Sequence, residues 1–333
     1  MTRDFTWRDA GRTVVFRRGG VGAAVEILRE RGIEEFELLS TERALGEAEG
    51  LAGTAAAAHL IPSGQVPPLA AEVLQAVGEG PLVALGGGRV IDVAKAIAAI
   101  SGADVIAIPT TLSGAPMTAI HRLPAGAEER ARGMVRPSLV IADPEAMASQ
   151  PEVDLRASAM NALAHGADTL YLPGSNPVSE MAALRGAELI ATSLDQEREG
   201  RDRAALALGS ILCGYAIDSA GLGLHHLVCQ TLVRVCGTPH AETNAAILPH
   251  ALAFLAERAP ESYEGLAAAL GANRADLRQR VEELGRPRPL GELGGDESKL
   301  DEAIEAMLKR PELARVPGSP SRDDLTELVR GAW

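Results

Sequence analysis

The chain has 333 residues, more than one hydrophobic core usually spans, so its length favours two domains. Apolar residues make up 46% of it and charged residues 23%, which excludes a largely disordered protein, and aromatic residues, at 3%, are too few for a base-stacking surface. The formal net charge of −13 opposes binding to nucleic acid or an anionic membrane, so we expect neither as a partner.

The cysteines and the apolar runs indicate the compartment. The three cysteines form no Cys-x-x-Cys pair and are too few for a disulfide scaffold. The N-terminal sequence has no apolar run typical of a signal peptide, and no stretch approaches the about 20 apolar residues of a membrane span. We therefore expect a cytoplasmic protein with reduced thiols.

In the first 150 residues, short apolar runs typical of β-strands alternate with alanine-rich runs of helical spacing. The strand-like runs lie at 12–16, 36–40, 59–64, 81–88, 104–111 and 138–144, and the helical runs at 21–32, 42–58, 68–80 and 89–100. This alternation predicts an α/β domain over residues 1–150, with a parallel sheet covered by helices on both faces.

After residue 150 the strand pattern disappears. Apolar residues recur at helical spacing over 155–172, 179–196, 203–221, 225–237 and 242–259. The sequence thus predicts an all-helical domain over residues 151–333, with a cleft between the two domains.

The segment PLVALGGGRVIDVAK, residues 81–95, is predicted to be a strand, a glycine turn and a helix start. Such a turn lets backbone N–H groups at the helix N-terminus approach a phosphate, and the helix dipole favours an anion there. The same pattern also suits a tight strand–helix turn that binds nothing. Asp92 and Lys95, one turn apart on this helix, are either a surface ion pair or part of a ligand site.

A loop rich in hydroxyl groups follows the next predicted strand. In IPTTLSGAPMT, residues 108–118, Thr110, Thr111 and Ser113 come directly after the strand end. Ligands of open α/β sheets lie outside the carboxyl ends of the strands. Two such loops together favour an anionic, nucleotide-like ligand.

Five of the seven histidines lie in the predicted helical domain: His165, His225, His226, His240 and His250. Asn161 and His165 are four residues apart and share one helix face. Histidines from different helices could converge on a metal ion or a substrate oxygen, but a buried histidine is also commonly a hydrogen-bonded core residue. The spacing leaves both interpretations open.

Several motifs together resemble the iron-containing alcohol dehydrogenase superfamily and, within it, the maleylacetate reductase branch. They occur in the family's order as GGGRVIDVAK, IPTTLSGAPMT, ADPE, MNALAHGADTLY and GLHHLVCQTL, followed by GTPHAETNAAILPH. Asn161, the His225–Cys229 pattern and PHAET at 239–243 mark the branch. The resemblance covers residues 10–260, about three quarters of the chain.

The resemblance implies a Rossmann-like N-terminal domain that binds NAD(H) or NADP(H). Its implied cofactor contacts are Gly87, Gly88 and Arg89 at the pyrophosphate, Thr110, Thr111 and Ser113 at the ribose and nicotinamide, and Ser40 and Thr41 at the adenosine ribose. No acidic residue at Ser40 or Thr41 rejects a 2′-phosphate, so use of both cofactors is expected.

The resemblance also implies a reaction centre in the helical domain, formed by His240, His226, His165 and Asn161. The implied reaction is reduction of maleylacetate, a 4-oxo-2-enedioate, to 3-oxoadipate. The implied partners are a small carbonyl or enoate acid and a second copy of the chain, as a homodimer.

Metal-dependent members of the superfamily hold iron or zinc through one aspartate and three histidines. His165, His226 and His240 match the three histidines, but Asn161 stands in the aspartate position. A neutral amide is a poor ligand for a hard divalent cation, although three histidines alone can hold zinc. We therefore expect the site to work without a metal, and keep a zinc or iron site as the alternative.

Other departures from the pattern concern the substrate. Gln230 and Asn244 stand where the branch has histidines, Arg89 replaces a serine, and Gly114, Ala115 and Pro116 replace Gly-Ser-Glu. Two alternatives therefore stay open: a metal-dependent alcohol or polyol dehydrogenase of the same superfamily, and a diverged member that uses NAD transiently, as a cyclase would, or does not catalyse.

Overall fold

A computed structural model describes residues 5–9 and 11–333, with side chains from residue 11 onward. The chain divides into two compact units, the first ending at Ser149 and the second beginning at Gln150. We call them the α/β unit and the helical unit.

The α/β unit contains a seven-stranded sheet in the order β1-β2-β7-β6-β5-β3-β4. Strand β1 is antiparallel to β2, and the other neighbouring pairs are parallel. The strands are β1 (Phe5–Asp9), β2 (Arg12–Phe16), β3 (Glu37–Ser40), β4 (Ala57–Leu60), β5 (Leu82–Gly86), β6 (Val105–Pro109) and β7 (Leu139–Ala142). The helices are α1 (Ala24–Arg29), α2 (Glu42–Gly46), α3 (Glu49–Ala52), α4 (Val66–Val73), α5 (Gly88–Ser101) and α6 (Pro144–Met147).

The strand order reverses between β3 and β5. The chain passes from β4 back across β3 to β5 and then continues to β6 and β7. In open parallel sheets, the carboxyl ends of the strands at such a reversal form the ligand-binding crevice. The glycine turn follows β5 directly, so the topology places it at this crevice.

The segment 42–58 differs from the predicted single helix. It forms the short helices α2 and α3, and then the edge strand β4, which begins at Ala57. Alanine has the highest helix propensity, so the run of alanines favours a helix, but pairing with β3 decides the conformation here.

The helical unit is built around one buried helix, α7 (Glu152–Thr169). Every residue of α7 from Leu155 onward is buried, because α8, α9, α10, α11 and α13 pack around it. The other helices of this unit are α8 (Pro177–Leu194), α9 (Arg203–Ala220), α10 (Leu224–Val235), α11 (His240–Arg258), α12 (Pro260–Ala269), α13 (Leu277–Gly285), α14 (Leu300–Leu308) and α15 (Arg322–Gly331). A parallel-sheet domain followed by helices confirms the predicted fold class.

No single helix among the described residues has the length and apolar character needed to cross a membrane. The consecutive helices α9 and α10 meet that test only when taken together, and they are bent by 96° where they join.

Candidate active site

The buried helix α7 carries three polar side chains on one face. Asn161, His165 and Asp168 follow one another at intervals of four and three residues, which places them on successive turns of the same face. All three are buried, and Asp168 is 1% exposed. Because Asp168 is shielded from water, its carboxylate needs partners inside the unit.

The start of helix α10 is built around Asp168 and Tyr171. The Gly223 N–H donates to Asp168 Oδ2 at 3.1 Å, and the Leu224 N–H donates to the Tyr171 hydroxyl at 2.6 Å. A side chain on Gly223 would overlap that hydroxyl, so only glycine fits before this helix. Two N–H groups that have no acceptor within α10 are thus satisfied from outside it, which holds the next two histidines in place.

Asp168 also fixes the proton of His226. His226 Nδ1 lies 2.7 Å from Asp168 Oδ2, and the Tyr171 hydroxyl donates to Oδ1 at 2.9 Å. Since the neighbours of the carboxylate are donors, we assign the imidazole proton to Nδ1 and the lone pair to Nε2. Among the described residues, this buried Nε2 has no hydrogen-bond partner.

The neighbouring histidine has the opposite tautomer. His225 Nε2 lies 3.0 Å from the carbonyl oxygen of Asn244, which can only accept, so Nε2 carries the proton and Nδ1 the lone pair. His225 Nδ1 and His165 Nδ1 are also buried, and neither has a partner in the part of the chain that the structure describes.

The imidazoles of α7 and α10 are in contact. The rings of His165 and His226 stack, with centroids 4.5 Å apart and planes 12° from parallel, and the ring of His225 meets His226 edge-on at 4.9 Å. His240, the exposed first residue of α11, is close enough for its charge to influence the other three rings. The structure therefore brings His165, His225 and His226 into contact, and places His240 within electrostatic range of them.

Burial makes the inner imidazoles very weak bases. Desolvation is the largest cause, and repulsion by neighbouring histidines is the next. Together they lower the pKa of His225 and of His226 to about 3, and lower the pKa of His165 well below its ordinary value. Burial raises the pKa of Asp168, opposed by the charge of His225 and by the groups that donate to its oxygens. At neutral pH the centre is thus a group of neutral rings with unpaired nitrogens.

Sequence reasoning missed Asp168 and Tyr171, and it counted His225 among the histidines of the helical domain without assigning it to this centre. A signal was present: Asp168 follows Asn161 by seven residues, a spacing that returns to the same helix face. What the sequence could not indicate is that α10 starts on top of that face.

The residues fit a divalent cation. Asp168, His225 and His226 are all buried and each offers one ligand atom, with these atoms within 4.8 Å of one another. Neutral imidazole nitrogens that lack partners are suited to zinc or iron, and a carboxylate behind a histidine is the usual support for such a ligand. This donor set gives no support to the expectation that the site works without a metal.

In the α/β unit, the glycine turn and the hydroxyl loop are in contact. A Cβ on Gly87 would lie 3.0 Å from Thr111 Cγ2, and one on Gly88 would lie 3.0 Å from Ser113 Oγ. The glycines are therefore needed for the approach of the two loops, independently of any ligand. The Thr110 N–H, donating to Gly86 O at 3.0 Å, joins the same two strand ends.

The other predicted cofactor residues differ in whether their side chains are exposed or already hydrogen-bonded within the protein. Arg89 is exposed on the first turn of α5. Ser40 is fully buried and its hydroxyl donates to Leu85 O at 2.9 Å, while the Thr41 hydroxyl accepts the Ala44 N–H as the N-cap of α2. Both hydroxyls at the end of β3 thus have structural partners.

Two of the residues that depart from the family pattern, Gln230 and Asn244, form hydrogen bonds with neighbours. Arg310 donates to Gln230 Oε1 at 3.4 Å, and the buried Asn244 donates through Nδ2 to the His240 carbonyl oxygen at 2.6 Å. Asn244 therefore links the start of α11 to His225. The altered loop forms a single 3-10 turn, Ala115–Met117.

Both halves of the chain match family models. Residues 156–333 match the model described as Fe-containing alcohol dehydrogenase family, C-terminal, and residues 65–144 match the model described as iron-containing alcohol dehydrogenase.

Curated relatives and solved structures cover almost the whole chain. The maleylacetate reductase of Rhizobium sp. (strain MTP-10005) is 31% identical over 92% of this chain and 92% of its own, and that of Burkholderia cepacia is 35% identical over 90% and 89%. The crystal structure of the Agrobacterium tumefaciens maleylacetate reductase superposes with a TM-score of 0.84 at 30% identity, covering 100% of this chain and 99% of that one. These likenesses confirm the resemblance predicted from the motifs.

Proposed function

Because the chain belongs to the iron-containing alcohol dehydrogenase family, it is an oxidoreductase, and we propose that it reduces maleylacetate to 3-oxoadipate with NADH or NADPH. The observation that carries this proposal is that maleylacetate reductases match it from end to end rather than over one domain. The cluster of neutral imidazoles in the helical unit supports it.

The substrate defines what the site must do. In maleylacetate a ketone is conjugated to an alkene, so the alkene carbon far from the ketone accepts a hydride, which the reduced nicotinamide supplies. Negative charge then collects on the ketone oxygen, and a proton must reach the carbon beside the ketone. Stabilising this enolate is the main task of the protein.

We assign the oxyanion contact to the Asn161 amide. Asn161 lies one turn before His165 on the buried face of α7, and its amide can donate an N–H without carrying a charge of its own. An aspartate in this position would instead repel the developing enolate. The departure at Asn161 is therefore suited to reduction of an enone.

We assign the proton transfer to His240. The low pKa values of His165, His225 and His226 leave them unprotonated at neutral pH, so none of them is a ready acid. His240 is exposed, so it can exchange its proton with water between turnovers. His226, held by Asp168, keeps its Nε2 lone pair facing the centre.

If a divalent cation is bound, Asp168, His225 and His226 would hold it, and His165 and His240 are the further ligands that the family resemblance implies. Such an ion would polarise the ketone oxygen as a Lewis acid.

The α/β unit would bind the cofactor. The pyrophosphate would lie against Gly87, Gly88 and Arg89 at the start of α5, where the first N–H groups have no acceptor within the helix. Thr110, Thr111 and Ser113 would line the ribose and nicotinamide, and Ser40 would lie near the adenosine ribose. We further propose that the protein is cytoplasmic and that it forms a homodimer. Light scattering of the purified protein tests the homodimer.

The direct test follows NADH absorbance after addition of maleylacetate. The proposal predicts one NADH consumed for each maleylacetate, with 3-oxoadipate as product. It is wrong if maleylacetate leaves both NADH and NADPH untouched while another carbonyl compound in a substrate panel consumes one of them.

The two alternatives give different outcomes in the same assay. An alcohol or polyol dehydrogenase, which the matched relatives do not favour, would oxidise alcohols with NAD and lose activity when a chelator removes stoichiometric metal. A cyclase-like member would turn over without net consumption of the dinucleotide.

A further inference from the structure

Lys95 is fully buried, although the sequence left open whether it forms a surface pair with Asp92. Its ammonium group donates to the backbone oxygens of Ala115 at 3.0 Å, Thr118 at 3.1 Å and Ile120 at 2.8 Å. The carboxylate of Asp92 lies 2.7 Å away on the same helix. All four neighbours are acceptors, which is the environment that a protonated lysine requires.

The segment that Lys95 holds, residues 114–120, directly follows the predicted nicotinamide contacts. Its 3-10 turn is closed by one bond, from the Met117 N–H to Gly114 O at 2.9 Å. From the opposite side, Arg12 donates to Met117 O at 2.7 Å. Two buried cationic side chains therefore satisfy four carbonyls of this loop.

One helix joins this loop to the phosphate site. Lys95 lies on α5, the helix whose first residue is Gly88. Gly88 itself approaches Ser113, the residue directly before the loop. The start of α5 is thus linked to the beginning of the loop, and its second turn is linked to the end. Any shift of the loop relative to the helix N-terminus would break the bonds to Lys95.

We propose that Lys95 is a positioning residue: by tying residues 114–120 to α5, it fixes the nicotinamide-contacting loop relative to the N–H groups that receive the pyrophosphate. This inference rests on the proposed function, because it assumes that α5 and the loop bind one dinucleotide. It predicts that Lys95 affects the nicotinamide end of the cofactor and not the ADP end.

The test compares NADH with ADP-ribose, which has the same adenosine and pyrophosphate but no nicotinamide. For Lys95→Met, we expect the dissociation constant of NADH to rise about tenfold or more, and that of ADP-ribose to change less than about twofold. Asp92→Asn keeps an amide oxygen beside Lys95 and removes one charge, so it should shift NADH in the same direction by a smaller factor. Lys299→Met, at an exposed lysine of the helical unit, is the matched control.

The outcomes separate the possibilities. Parallel weakening of both ligands would mean that Lys95 only supports the fold, and unchanged binding of both would also overturn the proposal. If the wild-type protein bound neither ligand, the proposed function would fail instead.

A second measurement needs no variant to fold. The chain has three lysines, Lys95, Lys299 and Lys309, so amine acetylation read by mass spectrometry reports on Lys95 individually. NADH should slow acetylation of Lys95 at least about fivefold relative to the two exposed lysines, and ADP-ribose should not. Equal protection by both ligands would contradict a role at the nicotinamide end.

Discussion

Lys95 of the α/β unit and the inner histidines of the helical unit are all buried, but they differ in whether their polar atoms have hydrogen-bond partners. Lys95 in the α/β unit is surrounded by four acceptors and uses all its protons. In the helical unit, His165, His225 and His226 each keep a buried nitrogen that, among the described residues, has no partner.

The difference indicates which buried groups support the fold and which perform chemistry. A fully bonded buried charge organises the backbone around it, whereas an unpaired polar atom costs free energy and persists where a ligand or a reaction needs it. By this criterion Lys95 organises the backbone of residues 114–120, and the unpaired imidazoles belong to the proposed reaction centre.

The largest expected effect is at the exposed member of the histidine cluster. His240→Ala should lower the turnover number by about a hundredfold to ten-thousandfold, because the proton donor is lost. The dissociation constant of NADH should change little, since His240 belongs to the helical unit. His250→Ala is the control in the same helix, and wild-type turnover of the His240 variant would refute the assignment.

Asp168→Asn tests whether the unpaired nitrogen of His226 depends on the residue behind it. An amide can donate to Nδ1, so the proton of His226 would move to Nε2 and the lone pair would leave the centre. We expect turnover to fall about tenfold to a hundredfold, with a weaker affinity for added zinc, measured by calorimetry. Tyr171→Phe, which keeps the carboxylate, should have a smaller effect, and equal losses in the two variants would argue against the tautomer explanation.

Acid should destabilise the helical unit through its buried imidazoles. The folded-state pKa of His225 and His226 is about 3, against 6.5 for an unperturbed imidazole. Between these values the unfolded chain binds protons that the folded chain does not, so the free energy of unfolding falls as the pH falls. Each ring contributes up to about 1.4 kcal/mol per pH unit.

Urea unfolding of chelator-treated protein at several pH values measures this slope. His225→Gln can still donate to the Asn244 carbonyl. It should reduce the slope of the unfolding free energy against pH by the contribution of one imidazole. A slope that the variant leaves unchanged would mean that His225 is not a source of the acid sensitivity.

Gly87→Ala distinguishes a glycine that serves packing from one that serves the cofactor. The φ of Gly87, −77°, suits any residue, so the cost arises from the Cβ near Thr111 Cγ2. Adding Thr111→Ser removes that methyl group and should restore the melting temperature. We expect NADH affinity to remain about tenfold weaker in the double variant, because the phosphate space is still reduced. Full recovery of affinity would show that the glycine is needed only for packing.

The smallest effect is expected at Ser40. Its hydroxyl bonds to Leu85 O between β3 and β5, so Ser40→Ala should cost about 1 kcal/mol of unfolding free energy. The ratio of the dissociation constants of NADH and NADPH should change by less than about threefold. In free energy, such a change is smaller than the loss of the hydrogen bond. A large change in preference would mean that the hydroxyl contacts the ribose after all.

The sequence indicated those parts of the molecule whose structure depends on the spacing of residue types along a short stretch of chain. The glycine turn, the strand-end hydroxyls and the long helices have spacings that only a few structures satisfy, and Asn161 with His165 shares a face by simple periodicity. The role of His226 and His240 came from the family resemblance, because nothing in their spacing requires α10 and α11 to meet α7.

Residues whose role depends on packing could not be predicted. Asp92 and Lys95 have the spacing of an ordinary surface pair, and only the fold of residues 115–120 over α5 buries the ammonium group. Asp168 is similar: its carboxylate becomes part of the centre because Gly223 allows α10 to begin against it. The alanine-rich strand β4 shows that pairing with a neighbour can override a clear local preference.

The state of the His226 ring tests the central claim most directly. Nitrogen chemical shifts of histidine-labelled protein at neutral pH should show a protonated Nδ1 and an unprotonated Nε2, a pattern that Asp168→Asn reverses. A ring that carries protons on both nitrogens, or the same tautomer in both proteins, would contradict an active centre of neutral imidazoles oriented by Asp168.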